Sequence, residues 1–332
     1  MTLSSITVCI PTYNQSPFLR QAVESVLAQR GCEVEVYISD DGSTDDTSQV
    51  MSAYSMDVRV HYYRQPRNQG IAANSTWVMQ QGSGEFLVRL DSDDLLAHDY
   101  CSTLVELLRA HPKAAVAHAA VKEIDQHGAY RRIRRLRRSS GYQEPDNALR
   151  YSVTGYGVAA NICMFRRSAL AELGTVYRPG MNFCEDWDLF ARLTAAGWGN
   201  LYCGDILASY RVWLDVGGYR KGRKLTELNG ALSVYTDTLA PAFKRRGWPL
   251  REIKAAQTAF ACGQVRSLRG IPRDSEDFAK VRAALIALGD GPGLRFCLGL
   301  IGSRMGWALD IYAWANVKLR DIAKALLGRR RP

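Results

Sequence analysis

Over residues 5–96 short strand-like apolar runs alternate with stretches that carry a helical stripe, and the switch of period recurs four times. Ile6, Val8 and Ile10 alternate as in a strand. Leu19, Ala22, Val23, Val26 and Leu27 then return at helical spacing on one face, behind a Ser16-Pro17 start. Val34, Val36 and Ile38 predict a second strand, "VRVHYY" a third and "EFLVRL" a fourth. Thr44 and Asp45 stand where the second helix needs a cap, and "RNQGIAANSTWVMQQGSG" reads as loop, helix and glycine-rich stop. This alternation predicts an α/β fold: an open, mostly parallel sheet flanked by helices. In such sheets ligands bind beyond the carboxyl ends of the strands. "PTYN" (11–14), "DDGS" (40–43) and "DSDD" (91–94) all stand at such ends, so three polar clusters remote in sequence should converge on one crevice.

Charge is divided unevenly along the 332 residues. Residues 1–100 hold 6 Lys and Arg against 13 Asp and Glu, and the remainder holds 37 against 20. An acidic first part suits a metal; a basic remainder suits an anionic partner such as phospholipid or a phosphorylated substrate. Nucleic acid is set aside, because the basic runs lack a recognised binding module. The eight cysteines show no CxxC spacing and no accompanying histidine cluster, which argues against zinc and for a reducing compartment. The N-terminus lacks a basic leader, and no apolar window reaches the roughly 18 residues a membrane helix needs. The chain therefore reads as cytoplasmic.

The second half is less regular. "AAVAHAAVKEI" and "GYGVAANICMFRR" predict strands. "NFCEDWDLFARLTAAGW" predicts a helix with Glu185, Asp186 and Asp188 in its first turn, where carboxylates suit the helix dipole. Beyond "YRVW" (210–213) the pattern turns helical to the end.

Asp91, Asp93 and Asp94 crowd the end of an apolar strand. Like charges repel and are costly to desolvate, so either the loop is wet or a cation belongs there. Mg²⁺ or Mn²⁺ takes hard oxygen ligands and uses one or two carboxylates plus substrate phosphates. Taken alone, the triplet leaves both readings open.

The segments "VCIPTYNQSPFLRQAVESVLAQ", "EVYISDDGSTDDT", "RNQGIAANSTWVMQQGSGEFLVRLDSDDLL" and "NFCEDWDLFARLTAAG" resemble, in order and spacing, family 2 glycosyltransferases of the GT-A fold over residues 4–215. The resemblance implies inverting transfer of a sugar from a nucleotide-diphosphate donor, UDP- or dTDP-linked by preference. It implies a carbohydrate or lipid-linked acceptor in cell-surface polysaccharide or glycolipid synthesis. Asp91-Ser92-Asp93 matches the DxD motif, the first Asp toward the donor's ribose or sugar and the second toward a divalent cation, Mn²⁺ or Mg²⁺. Pro11, Thr12 and Tyr13 match the segment lining the base, Asp41 the carboxylate that accepts a base N–H, and Asn68 with Gly70 the loop beside base and ribose. Asp186 matches the catalytic base, with Glu185 and Trp187 beside it on the acceptor side. The implied domains are a nucleotide-sugar half at 1–100, an acceptor half at 101–218 and a helical region at 219–332.

One position departs from the pattern. Many relatives carry a histidine shortly after "YR", sometimes as a metal ligand; here Trp213 stands there, to stack on a sugar or base or simply to pack. The six arginines within residues 131–138 admit a solvated loop, an acidic-acceptor site or contact with an anionic membrane. Phe296, Leu300, Trp307, Ile311, Trp314 and Leu319 among basic residues suit either an interfacial helix or one docked on its own domain. A rival enzyme, a sugar-nucleotide nucleotidyltransferase, would need a glycine-rich basic loop where "PTYNQSP" stands, and an NAD enzyme would need G-x-G-x-x-G there. The non-enzymatic rival is an inactive GT-A-like scaffold or binding subunit.

Overall fold

The computed structural model describes residues 5–157, 159, 161–213, 222–289, 291–301, 307 and 311. Strands β1 (Ser5–Thr12), β2 (Glu33–Asp40), β3 (Val60–Arg64) and β4 (Phe86–Leu90) all form where the alternation predicts them. They pair in parallel in the order β3-β2-β1-β4, joined by helices α1 (Ser16–Leu27), α2 (Thr47–Ser52) and α3 (Ile71–Met79). The register sets Thr12 opposite Asp40 and Cys9 opposite Arg89, so the ends of β1, β2 and β4 reach one edge of the sheet. The chain winds outward from β1 on both sides, and it is outside the carboxyl ends at such a reversal that parallel sheets bind their ligands.

The rest of the sheet is mixed. β5 (Leu95–Leu96) is followed by α4 (Tyr100–Ala110), then by β6 (Ala114–Ile124), β7 (Tyr130–Arg134), β8 (Gly141–Gln143), α5 (Pro145–Ser152), β9 (Ile162–Arg166), α6 (Arg167–Ala171), α7 (Glu185–Ala195) and β10 (Gly199–Arg211). The full order is β3-β2-β1-β4-β9-β6-β10-β5, with β7 on β6 and β8 on β10. β6 and β10 are parallel; β5, β7, β8 and β9 run antiparallel to their neighbours. The parallel expectation thus holds for β1–β4. It yields where a tight turn, as between β6 and β7, replaces a helical crossover. Ile6, Val8, Ile10 and Val88 share one core with Leu19, Val23 and Val26 of α1 and Leu104 and Leu108 of α4. Burying each such side chain is worth roughly 1.5–3 kcal/mol.

Two compact units emerge: a sheet unit (Met1–Ala148, Gly157–Met181, Arg192–Leu214) and a helical unit (Leu149–Tyr156, Asn182–Ala191, Asp215–Pro332). They divide the chain differently from boundaries at 100 and 218. Residues 101–148 continue the sheet of residues 1–100, whereas 182–191, with Glu185, Asp186 and Trp187, go with the helices. The helical unit contains α8 (Lys224–Ser233), a π-helical turn at Val234–Leu239, α9 (Ala240–Arg245), α10 (Arg251–Gln264), α11 (Glu276–Leu288) and α12 (Pro292–Leu300). None of the described helices is long and apolar enough to cross a membrane.

The arginine run begins as strand β7, a structure its charge concealed. Arg132 and Arg134 both clasp Glu123 of β6, at 2.6 and 2.7 Å, and this carboxylate is 3% exposed. Arg138 donates to Asn200 Oδ1 at 2.7 Å. Part of the run therefore serves the sheet. In the tail, Leu300 is buried while Phe296, Trp307 and Ile311 are exposed; Trp314 and Leu319 lie outside the described residues.

Candidate active site

Hydrogen bonds tie the loops at the carboxyl edge together. The Asp41 N–H donates to Thr12 O at 2.9 Å, the Asn14 N–H to Ser43 Oγ at 2.9 Å, and the Thr44 N–H to Asn14 Oδ1 at 2.8 Å. Asn14 holds a left-handed backbone, φ 52°, which an asparagine tolerates better than most residues. Asp45 accepts from the Ser16 N–H with one oxygen and from the Thr47 N–H and hydroxyl with the other, so it serves the starts of α1 and α2 together.

Asp41 is 2% exposed and holds a third loop. Its Oδ1 accepts from the Gln69 N–H and its Oδ2 from the Gly70 N–H, both at 2.9 Å. Asn68 Oδ1 shares the Gly70 N–H at 3.0 Å. A carboxylate offers about four lone-pair sites, so Asp41 retains capacity for a ligand N–H while fixing residues 68–70. Gly42 makes this packing possible: its φ is +75°, and a Cβ there would lie 3.1 Å from the Arg67 carbonyl carbon. Pro11 and Thr12 are buried, and Tyr13 projects from the end of β1, 44% exposed. Thr12 Oγ1 is a buried hydroxyl oxygen with no hydrogen-bond partner.

The three crowded aspartates have three different environments. Asp91 Oδ1 lies 3.2 Å from both Nε and Nη2 of the buried Arg89, whose Nη1 donates to Tyr177 Oη at 2.6 Å. Asp93 Oδ2 accepts from the Trp213 indole N–H at 2.6 Å. Asp94 is fully buried and accepts from Asn161 Nδ2 at 2.6 Å and from the Arg211 backbone N–H at 2.7 Å. Burial pushes the Asp94 carboxyl well above the usual carboxylate range, and the charges of Asp93 and Asp91 push it further. Burial raises Asp93 as well, against the opposing pull of the Trp213 hydrogen bond. Ser92 is buried at 4% exposure. Asp94 is thus the structural member of the triplet; Asp91 and Asp93 are half-buried at the sheet edge.

Sequence reasoning missed Arg211, Phe18 and Asn161. Arg211 Nε donates to Asp93 O at 2.9 Å, and its guanidinium lies 4.6 Å from the Phe18 ring centroid. Phe18 in turn meets Trp213 edge-on at 5.2 Å. The arginine of "YRVW" was visible as a charge at a strand end, but nothing local marked its partners.

In the helical unit, Glu185 and Asp186 are half-buried on the first turn of α7. Cys184 before them has φ 64°, and Gly230 of α8 passes so close that a Cβ there would overlap the Phe183 carbonyl oxygen. Trp187 is turned into the unit's interior: its N–H donates to Ser152 O at 2.7 Å and its ring meets Tyr235 edge-on at 5.1 Å. Asp188 is fully buried and accepts from the Thr238 hydroxyl at 2.6 Å. Asp188 is thus committed to packing within the unit, whereas Asp186 is half-buried.

Residues 7–174 match the family model described as glycosyl transferase family 2. The chain belongs to glycosyl transferase family 2. Among curated family members, the chondroitin synthase of Escherichia coli is 29% identical over 193 residues, 58% of this chain and 27% of that protein. The GalNAc(5)-diNAcBac-PP-undecaprenol beta-1,3-glucosyltransferase of Campylobacter jejuni is 36% identical over 106 residues, 31% of this chain and 34% of that one. The matched part spans only about a fifth to a quarter of the length of several such relatives, 21%, 27% and 18% in three cases. In fold, residues 1–349 of Staphylococcus aureus TarS align with a TM-score of 0.63 at 16% identity, over 97% of this chain and 89% of that one. A mannosyltransferase from Pyrobaculum calidifontis, in complex with GDP-Man and Mn²⁺, aligns with a TM-score of 0.57 at 17% identity, over 99% of this chain and 89% of that one. The GT-A-like α/β architecture of the family is thereby established for this chain.

The donor set fits a divalent cation of the Mg²⁺ or Mn²⁺ kind. Asp91 and Asp93 are hard-oxygen donors two residues apart, and no thiol or imidazole competes in the triplet. Among the described residues no three His, Cys, Asp or Glu side chains gather into a complete metal cage.

Proposed function

We propose that this chain is an inverting glycosyltransferase that moves a sugar from a nucleoside-diphosphate donor to a glycan or lipid-linked acceptor. The carrying observation is the convergence of Asp41, Asp91 and Asp93 at the carboxyl edge of β1, β2 and β4 in a family 2 chain. Asp41, with Asn68 and Gly70 beside it, takes the N–H of a uracil- or thymine-type base, and Pro11, Thr12 and Tyr13 line that base. Asp91 and Ser92 bind the ribose or sugar, and Asp93 with Asp91 holds the cation. Bound there, a divalent cation neutralises charge on the leaving diphosphate.

Asp186 acts as the general base. The acceptor hydroxyl oxygen forms a bond to the anomeric carbon, and the bond from that carbon to the diphosphate oxygen breaks. The electron pair leaves with the diphosphate, and the hydroxyl proton passes to the Asp186 carboxylate. Attack opposite to departure inverts the anomeric centre. A carboxylate within hydrogen-bond reach of the attacking hydroxyl is a suitable group to accept that proton. Glu185 and Trp213 lie on the acceptor side in this reading, and Trp187 supports the start of α7 from within. The named relatives, a chondroitin synthase and a glucosyltransferase acting on an undecaprenol-linked glycan, support cell-surface polysaccharide or glycolipid synthesis as the setting. The exposed Phe296, Trp307 and Ile311 beside a basic tail support peripheral contact with an anionic membrane.

The test is calorimetric binding of UDP, dTDP and GDP with and without Mn²⁺, for the wild type, Asp93→Ala and Asp186→Asn. The reading expects metal-dependent binding of one nucleotide, loss of that dependence in Asp93→Ala, and retention in Asp186→Asn. With the matching sugar donor, Asp186→Asn should lose transfer. If no nucleotide binds under any condition, the enzymatic reading fails and a scaffold role takes its place.

A further inference from the structure

The Asp93–Trp213 contact carries more than an acceptor-side tryptophan would. The indole Nε1–H is a donor only and has no lone pair in the ring plane for a metal. It sits 2.6 Å from Asp93 Oδ2 and so takes one of that oxygen's two lone pairs, weakening it relative to Oδ1 as a donor to a cation. Its position is braced. Trp213 stands edge-on against Phe18 at 5.2 Å, and Phe18 carries the Arg211 guanidinium at 4.6 Å on its face. Arg211 then closes the loop on the triplet itself, its Nε–H on Asp93 O at 2.9 Å and its backbone N–H on Asp94 Oδ1 at 2.7 Å. Two further bonds, from Nη1 to Asp125 O at 3.0 Å and Gln126 O at 3.4 Å, fix the arginine from the other side. The backbone of residue 93 and its side chain are therefore held by one continuous strut, Arg211–Phe18–Trp213, although the indole is 42% exposed.

We propose that Trp213 is a positioning residue of the donor site: by holding Oδ2 of Asp93 it leaves Oδ1 as the oxygen a cation takes. The site then accepts a divalent cation as its nucleoside-diphosphate chelate rather than as the free ion. Asp91 and a monodentate Asp93 supply too few donors to dehydrate Mn²⁺ or Mg²⁺ alone, and the indole adds none, whereas a diphosphate brings the missing oxygens. An imidazole at this position would add a nitrogen ligand and relieve that requirement. The inference rests on the donor-site reading above and assigns Trp213 to the donor's cation instead of the acceptor.

The experiment uses the full chain as wild type, Trp213→Phe, Trp213→His, Asp93→Ala and the Trp213→Phe/Asp93→Ala double variant. Phenylalanine keeps a ring against Phe18 and removes only the N–H. Free Mn²⁺ is titrated by electron paramagnetic resonance, and the diphosphate that the wild type binds best among UDP, dTDP and GDP is titrated calorimetrically with and without Mn²⁺. Wild type should bind free Mn²⁺ weakly, and Trp213→His at least about tenfold more tightly. Trp213→Phe should lose roughly tenfold in Mn²⁺-dependent nucleotide affinity, the scale of one hydrogen bond to a charged group, with metal-free affinity unchanged. In the Asp93→Ala background the same substitution should have no effect, because coupled partners are not additive. Independently of any ligand, the Trp213 indole N–H resonance, identified by its loss in Trp213→Phe, should shift in Asp93→Ala. An unmoved resonance, an equal loss in metal-free binding, or a Trp213→Phe indistinguishable from a metal-dependent wild type overturns the inference and leaves the donor-site reading standing. A wild type that binds no nucleotide overturns both.

Discussion

Replacing Asp41 by Asn tests whether one buried carboxylate both builds the nucleotide site and joins two of its loops. Asp41 accepts from two backbone N–H groups with two different oxygens, each at 2.9 Å. Asparagine supplies a single acceptor oxygen, so its NH₂ must face either the Gln69 or the Gly70 N–H, donor against donor. Hydrogen bonds to a charged group are worth about 1.5–3 kcal/mol, and the substitution removes one and weakens the other. Gln69 is exposed, so water offsets part of the loss. The net cost should fall at about 1.5–2 kcal/mol of stability. Urea unfolding measures that change, and amide exchange at Gln69 and Gly70 locates it: both should lose protection while amides of the β1–β2 ladder keep theirs. Nucleotide affinity should fall at least about tenfold, since the loop and a base N–H acceptor go together. If Asp41→Asn unfolds like the wild type, keeps those two amides protected and binds nucleotide equally well, the coupling argued here is wrong.

Other substitutions separate backbone from charge. Gly42→Ala should cost about 1–2 kcal/mol for its left-handed backbone and more for pushing on Arg67 and Asn68. Gly128→Ala, at φ +85° with nothing within 4 Å of its Cβ, should show the backbone cost alone, so equal destabilisation of the two in urea would refute the close-packing argument. Glu123 is held below the usual carboxylate range first by its hydrogen bond from Arg132 and also by Arg134. A depressed folded pKa gives stability that is present above the unfolded value of about 4.3 and lost as pH falls through the folded value. Glu123→Gln should therefore be about 1–2 kcal/mol less stable than the wild type at pH 7, discounted for the exposure of Arg132, with the difference closing as pH falls below 4.3. A gap that persists undiminished at pH 2 would show that the ion pairs are not its source.

The early strands and helices could be read directly because their signals are local. Ile6, Val8 and Ile10 alternate and are all fully buried, and the stripe Leu19, Ala22, Val23 and Val26 is the buried face of α1. The convergence of "PTYN", "DDGS" and "DSDD" followed from the topology rule for parallel strands, which needs only the order of elements. Beyond residue 100 local signals weaken. Strand β7 was hidden by arginines whose compensating carboxylate, Glu123, sits on the neighbouring strand. The compact units, too, are assembled from separate stretches of chain, and no linker composition marks 149–156 or 182–191 as belonging with the C-terminal helices.

Which residues are candidates was set by the sequence: the resemblance to the family singled out Asp41, Asp91, Asp93 and Asp186. Which neighbouring carboxylates are taken up by packing was decided only in three dimensions. Asp94 stands beside Asp93 yet is fully buried on Asn161 and Arg211, and Asp188 stands two positions after Asp186 yet is held by Thr238. Trp187 packs inward, while Trp213 reaches back across the chain to Asp93. The physical reason is common to all of them. A charge or an N–H in a folded chain is defined by its partner and its distance from water, and both come from residues tens to more than a hundred positions away.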